Sequence, residues 1–546
     1  MTRAQFKTQP GHWLATTSGN PAGKPSRPTL SAEQQAVVLA TGDLVVNACA
    51  GSGKTTTLVG YASRKTQEST GGKPPRILYL AFNRSVRLEA QQRFAKAGLT
   101  NVDVHTAHSL AYKHTFKQGG YTLSSADLRV SDVIDTCGLQ WGHSPKMALM
   151  LATHVKKLFS MFCNDQAEVL TQIDYRLRTL GEDKPVRDFI ARHHARISTG
   201  AAELFARMQS RTMDITHDFY LKQFQLNRPR LPYDYILFDE GQDASGSMLA
   251  VFFNQKATKV IVGDDAQQIY GFRYAVNSLG LASFPSLNLT SSFRFGAQTA
   301  ALANQTLNWK KLYRPAYHHL PIQGVATYVP PADGMGTNVV IGRTNISILA
   351  DTIESLCVRE EIGSVYYEGR FESYTYMDSG GSLMDIYHLS RGMISQVRSS
   401  LIRQLGSMGE LKEYIGATNE NSMKLALQIV DTYQDDLPAY IDQIRQAHMP
   451  DNQRQYADRI YTTVHRAKGL EYDSVRIADD FIALPDVFKA GGKLNPVDAA
   501  YEHKVNALNE EINMLYVAIT RSLDALTIPP VLGLRTEEPG INDQSV

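Results

Sequence analysis

The chain has 546 residues, 43% hydrophobic and 20% charged, an ordinary globular composition long enough for three or four compact units. Lys+Arg is 56 against Asp+Glu 54, a net charge of +2, which excludes a uniformly basic protein and makes any nucleic-acid surface local. No apolar run approaches membrane-spanning length and no signal peptide opens the chain. The four cysteines (Cys49, Cys137, Cys163, Cys357) lack metal-ligand spacing and read as reduced thiols of a cytoplasmic protein.

In chain order, residues 1–27 come first. Arg3, Lys7, Lys24 and Arg27 have no acidic neighbour before Glu33, and prolines interrupt the segment. It reads as a flexible basic arm, either a tail without a role or a segment that binds DNA or a partner. Apolar runs then follow at 43–48, 76–82, 234–240, 259–264, 338–343 and 474–480. Several are apolar throughout rather than alternating, as suits strands buried on both faces of a parallel sheet. Between about 107 and 212, and again between about 373 and 458, helical patterns replace strands. The predicted fold class is therefore α/β: two parallel-sheet domains flanked by helices, each interrupted by a mainly helical insertion.

"ACAGSGKT" (48–55) follows the first strand. Gly51 and Gly53 allow a tight turn that aims backbone N–H groups at phosphate oxygens, and the following helix adds its positive dipole end. Lys54 suits β- and γ-phosphates, and the Thr55 hydroxyl suits Mg²⁺. Ala50, Ser52 and Thr56 complete the cradle. Ala48 replaces the usual glycine. This much indicates a nucleoside triphosphatase of unspecified kind.

"YILFDEGQDAS" sets Asp239 and Glu240 at the end of an apolar strand. Beside a phosphate loop, Asp239 would orient Mg²⁺ and Glu240 would polarise the attacking water; the alternative is a solvated acidic turn. In "IVGDDAQQIYGFRYA", Gln267 is placed to report the γ-phosphate. Tyr270, Phe272 and Arg273 offer rings and a guanidinium for stacking on a single strand, or else pack in a core. An arginine such as Arg294 or Arg521, brought from a second domain, would stabilise γ-phosphate charge.

The ordered series of motifs resembles UvrD/Rep-type superfamily 1 DNA helicases over about residues 29 to 530. "LSAEQQAVV" resembles the adenine-reading Q motif, at Gln34, and "ACAGSGKT" resembles motif I. "LAFNRSVRLEA" resembles motif Ia, with Phe82 at its DNA-stacking position. "VHTAHSLAY" resembles the Thr-Phe-His-Ser motif, with His108 toward DNA and Ala107 replacing the aromatic. "DEGQDAS" resembles motif II, with Gly241 for alanine. "VGDDAQQIYGFR" resembles motif III, with Phe272 for tryptophan and Ala266 for aspartate. "SSFRFG" resembles motif IV, which implies Phe293 on the adenine and Arg294 on the γ-phosphate. "VIGRTNISIL" resembles motif IVa. "TTVHRAKGLEYDSV" resembles motif V, with His465 near DNA and Glu471 between DNA and nucleotide. "EEINMLYVAITRS" resembles motif VI, with Arg521 as the arginine finger. Residues 213–226 and 384–389 are most similar to the F-box DNA helicase branch, although no F-box-like segment is expected ahead of the motor.

The resemblance implies ATP and Mg²⁺ as cofactors and two RecA-like P-loop domains, 28–106 with 213–290 (1A) and 291–372 with 459–546 (2A). It implies helical insertions at 107–212 (1B) and 373–458 (2B). The implied activity is 3′ to 5′ translocation on single-stranded DNA, or on duplex with a 3′ single-stranded tail, in repair, recombination or defence. The alternative is a DNA-sensing ATPase subunit of a larger complex. A protein partner would be met through 2B or the N-terminal arm.

Overall fold

A computed structural model describes residues 30–535 apart from 70–71, 117–118, 126–127, 140–143, 332–335 and 376–381. The basic arm at 1–27 lies outside the described residues.

The first sheet joins β1 (Leu44–Ala48), β2 (Ile77–Ala81), β3 (Val102–Thr106), β4 (Tyr235–Phe238), β5 (Thr258–Gly263) and β6 (Ser286–Leu289). The order is β3-β2-β4-β5-β1-β6, with every pairing parallel. The side chains of β2 are buried along its whole length, which is why it reads as an unbroken apolar run. Parallel strands end at one edge. Residues following β1, β2, β4 and β5 therefore meet there, although the sequence scatters them from 49 to 264.

A short parallel pair, β7 (Ser291–Ser292) and β8 (Gln323–Gly324), leads to a second parallel sheet. It comprises β9 (Asn338–Gly342), β10 (Val365–Tyr367), β11 (Arg459–Thr463), β12 (Tyr472–Ile477) and β13 (Ser522–Thr527), in the order β10-β11-β9-β12-β13. Around each sheet the chain forms a lobe. The helix Tyr501–Ile519 belongs to the second lobe and buries Val505, Leu508, Ile512 and Leu515 in its core.

The described residues of 107–226 are mainly helical. The helices Pro145–Asn164 and Lys184–Gln209 cross so closely that a Cβ on Gly200 would lie 2.8 Å from a Val155 methyl. Helices from Leu383–Ser390 to Leu437–Ala447 form the second insertion, and Pro438 falls in the first turn of the last of them. Proline lacks an N–H and is tolerated only there, so the pattern breaks into two helices at this point.

The two insertions bury surface against each other. The hydroxyls of Thr153 and Tyr414 are 2.7 Å apart, His154 Nε2 donates to the Ala417 carbonyl at 3.0 Å, and Lys157 donates to the Thr418 carbonyl at 2.6 Å.

Candidate nucleotide site and nucleic-acid interface

The phosphate loop leaves β1 at Ala48 and turns through Gly51 (φ 75°) and Gly53 (φ 76°) into the helix Lys54–Glu68. Glycine is required at both places by fit as well as by backbone angle. A Cβ on Gly51 would lie 2.6 Å from Arg294 Cβ and Ser292 Oγ, and one on Gly53 would lie 2.7 Å from Gln34 Nε2. The bare loop lets the second lobe close against it: Phe293 N–H donates to the Gly51 carbonyl at 2.9 Å.

Lys54 Nζ is 3.2 Å from Glu240 Oε1. Burial works to lower the Lys54 pKa, but the carboxylates of Glu240, Asp264 and Asp239 outweigh it and raise the value. Thr55 Oγ1 donates to Asp239 Oδ2 at 3.3 Å, and the Tyr79 hydroxyl donates to the same oxygen. Burial, reinforced by Glu240, pushes Asp239 up. Burial acts the same way on Glu240, but Lys54 and Lys468 hold that carboxyl below its usual range. Glu240 sits at φ 53°, a left-handed angle rare for a side chain of this kind, and Gln242 Nε2 holds its Oε2 at 2.6 Å.

Loop, lysine, hydroxyl and carboxylates thus meet as a Mg²⁺-nucleotide requires. Among the described residues, no group of three or more His, Cys, Asp or Glu could hold a metal. The Thr55 hydroxyl and the Asp239 carboxylate, which meet beside the phosphate loop, have the oxygen chemistry that fits Mg²⁺.

The remaining nucleotide candidates are placed more variously. Gln34 is buried, its Oε1 accepts from Ser31 N–H at 3.0 Å, and its Nε2 donates to the Ser52 carbonyl at 3.1 Å. Ala50 N–H donates to the Tyr516 hydroxyl, and Thr56 Oγ1 accepts from Arg93. Phe293 is 46% exposed. Arg294 Nε donates to Glu471 Oε1 at 2.6 Å, so the motif IV arginine and the motif V glutamate form one ion pair. Arg521 is 1% exposed, and its guanidinium donates to the Val517 and Leu470 carbonyls and to Thr520 Oγ1. Burial, followed by Arg294, lowers its pKa to about 9.

Beside the nucleotide candidates, the rings come together. Phe82 and Tyr270 stack with centroids 5.2 Å apart, and Phe272 meets His465 edge-on at 5.3 Å. The Arg273 guanidinium lies over both Tyr270 and Phe272, at 5.5 and 5.6 Å. Burial lowers His465 to about 4, and its Nε2 donates to the Ile269 carbonyl at 3.1 Å, so the ring is neutral and fixed. His108 stands apart from these rings and faces His217, Tyr220 and, at 3.9 Å, Asp218.

Four further residues belong to this junction. Asp264 ends β5 as Asp239 ends β4, so the same strand-end rule would have found it. Asp243 forms a buried ion pair with Lys468, which comes from the second lobe and also donates to the Gln267 carbonyl at 2.6 Å. Tyr516 bridges the phosphate loop and Asp264, and it lies within the motif VI stretch "EEINMLYVAITRS", five residues before Arg521.

Comparison with known proteins agrees with this geometry. Residues 30–283 match the UvrD/REP helicase N-terminal domain, and residues 374–530 match the UvrD-like helicase C-terminal domain. The chain is 28% identical over 527 residues to F-box DNA helicase 1 of Gallus gallus, across 91% of this chain and 48% of that protein. It is 26% identical over 559 residues to F-box DNA helicase protein 1 of Schizosaccharomyces pombe, across 95% of this chain and 59% of that protein. DNA helicase IV of Escherichia coli is 26% identical over 331 residues, 51% of this chain and 47% of that protein. The chain spans about half the length of these curated relatives. With both family domains matched in order, on parallel sheets that meet at a phosphate loop, the chain belongs to the UvrD/REP helicase family.

Proposed function

We propose that this chain is an ATP-dependent motor that moves 3′ to 5′ along single-stranded DNA and unwinds duplex ahead of it. One observation carries the reading. The loop from Asp264 to Arg273 runs without a break from the phosphate loop to the exposed ring of Phe272, and the second lobe contacts it along the way through Tyr516, Lys468 and His465. A base stacking at one end and a phosphate lost at the other would therefore pull on the same few residues.

In this reading the lobes are 28–106 with 213–290 and 291–372 with 459–546, and the insertions are 107–212 and 373–458. Lys54, Gly51, Gly53 and the neighbouring amides hold the phosphates. Thr55 and Asp239 hold Mg²⁺, which supplies charge neutralisation on the phosphates. Glu240 takes a proton from water. Gln267, Arg294 and Arg521 answer to the γ-phosphate. Phe293 stacks on adenine, and Gln34 reads it after exchanging its bond to Ser52. Phe82, Tyr270, Phe272, Arg273, His465 and His108 contact the strand.

ATP hydrolysis measured with and without single-stranded DNA, using Glu240→Gln as the blank, tests the first half. Unwinding of 3′-tailed against 5′-tailed duplex tests polarity. Stimulation by DNA with preference for the 3′ tail is expected; DNA-independent turnover, or preference for the 5′ tail, contradicts the reading.

A further inference from the structure

The helix Tyr501–Ile519 of the second lobe carries Glu510, Asn513 and Tyr516 at three-residue spacing, which sets them along one side. All three reach the Asp264–Gly271 loop of the first lobe. Glu510 Oε1 accepts from Gly271 N–H at 3.0 Å. Asn513 Nδ2 donates to the carbonyls of Gln268, at 2.9 Å, and Asp265, at 3.4 Å. The buried Lys310 ammonium donates to Asn513 Oδ1 at 2.6 Å, which orients the amide so that its NH₂ faces the loop. Tyr516 is 0% exposed; its hydroxyl accepts from Ala50 N–H at 3.2 Å and donates to Asp264 Oδ2 at 2.9 Å.

Asp264 is the centre of this arrangement. The oxygen that accepts from the Tyr516 hydroxyl also accepts from Gln267 Nε2 at 2.8 Å, and its partner oxygen accepts from Ala266 N–H at 3.0 Å. Asp264 N–H donates to Gln242 Oε1 at 3.1 Å, and Gln242 Nε2 donates to Glu240 Oε2 at 2.6 Å. One oxygen of one buried carboxylate is thus shared between a donor from each lobe, Tyr516 and Gln267, while the path to Glu240 starts at the Asp264 backbone N–H and runs through Gln242. If the lobes part, the Tyr516 hydroxyl leaves, the Ala50 N–H is freed, and Asp264 keeps only the Gln267 and Ala266 donors of its own loop, losing the one that comes from the second lobe.

We propose that Tyr516 is a positioning residue that makes ATP hydrolysis conditional on lobe closure, by holding Asp264 and, through it, Gln267 and Glu240. The inference rests on the motor function proposed above. Tyr516 touches neither nucleotide nor DNA in this scheme; it acts through Asp264.

Tyr516→Phe keeps the buried ring and removes only the hydroxyl. In the full chain, kcat for DNA-stimulated ATP hydrolysis should fall about tenfold, with KM for ATP unchanged within twofold, because misplacing a reacting group costs rate rather than binding. A kcat within twofold of wild type overturns the proposal. So does a loss of kcat that only tracks a rise in KM and a fall in thermal stability.

Backbone amide exchange on the wild-type chain gives a second measurement that needs no variant. Saturating single-stranded DNA with a non-hydrolysable ATP analogue should protect Ala50, the 264–271 loop and the 510–519 segment together; independent protection of the three overturns the relay. Absence of ATP turnover by the wild type would instead sink the proposed function, and the exchange pattern would still decide the relay.

Discussion

Lys54 Nζ and Glu240 Oε1 stand 3.2 Å apart, so the ammonium suited to phosphates is held by the carboxylate suited to activating water. A nucleotide entering this site must draw Lys54 off Glu240 and set its own negative charge beside that carboxylate. Glu240→Gln keeps the shape and the Gln242 contact region while removing the charge. ATP turnover should fall by about a hundredfold or more, as for loss of a general base. ATP itself should bind roughly threefold more tightly or better, since a competitor for Lys54 and a like charge are both gone. Fluorescent-nucleotide titration and an ATPase assay read the two effects. Weaker binding together with normal turnover would remove Glu240 from the water-activating role.

Phe272 offers the cleanest separation of DNA coupling from folding. Its side chain is 61% exposed, and its ring contacts are with His465, Tyr270 and Arg273, all on the candidate DNA face. Phe272→Ala should leave stability within about 0.5 kcal/mol, as for other exposed positions. It should weaken single-stranded DNA binding by about 1–3 kcal/mol, the range for one stacked base. DNA-stimulated turnover should fall more than basal turnover. Equal loss of both rates would make Phe272 a packing residue.

The parts of the fold that could be read from sequence are those where one physical demand dominates a short segment. β1, β2, β4, β5 and β9 coincide with apolar runs because the sheet interior admits little else, whereas β12 overlaps the run at 474–480 while carrying Asp473, Ser474 and Arg476 at half-buried positions. The strands missed carry mixed demands. β3 alternates and exposes Asp103 at the sheet edge; β13 is polar at the opposite edge of the second sheet. β11 reads "RIYTT" yet is buried, because hydroxyls such as that of Tyr461, bonded to Asp351 Oδ1 at 3.0 Å, find partners inside. The same holds for the candidate site. Residues just past a strand end are legible, since topology alone brings them together. Tyr516 lies 252 residues from the aspartate it holds, and its position depends on how two lobes dock, which no local pattern records.

Arg521 tests whether a buried guanidinium serves chemistry alone. Its donors are committed to the Val517 and Leu470 carbonyls and Thr520 Oγ1, and it is 1% exposed. Removal would leave the Leu470 carbonyl without this donor and a large void beside Glu471, while the Val517 carbonyl keeps the Thr520 hydroxyl, a net loss of about 3 kcal/mol of stability. Arg294, paired with Glu471 and donating to the Thr520 carbonyl at 3.2 Å, keeps 13% of its side chain exposed and should cost less, about 2 kcal/mol, when changed to alanine. Both variants should lose ATP turnover. Urea unfolding of the two against wild type gives the comparison, and an Arg521→Ala protein as stable as wild type would show that its internal bonds hold nothing together.

The docking of the two helical insertions should depend on pH through His154. The ring is 1% exposed; Nε2 donates to the Ala417 carbonyl and Nδ1 faces the Tyr175 hydroxyl at 3.1 Å, so the neutral form fits. Burial above all, partly opposed by the Ala417 hydrogen bond and assisted by Lys157 and His193, lowers its pKa to about 4 from the ordinary 6.5. Between these values the unfolded chain binds a proton that the folded chain refuses, so stability falls as pH drops below 6.5 and the loss is complete below 4. Above 6.5 the group contributes no pH dependence. From pH 7 to pH 5 the expected loss from this ring is about 2 kcal/mol. His154→Gln can donate to Ala417 and accept from Tyr175 without titrating. The stability difference between wild type and this variant, from urea unfolding at pH 7, 6 and 5, should therefore shift by that amount in favour of the variant as pH falls. A difference that stays constant with pH would mean that His154 titrates alike in the folded and unfolded chain, and that the insertions are not held together around a neutral ring.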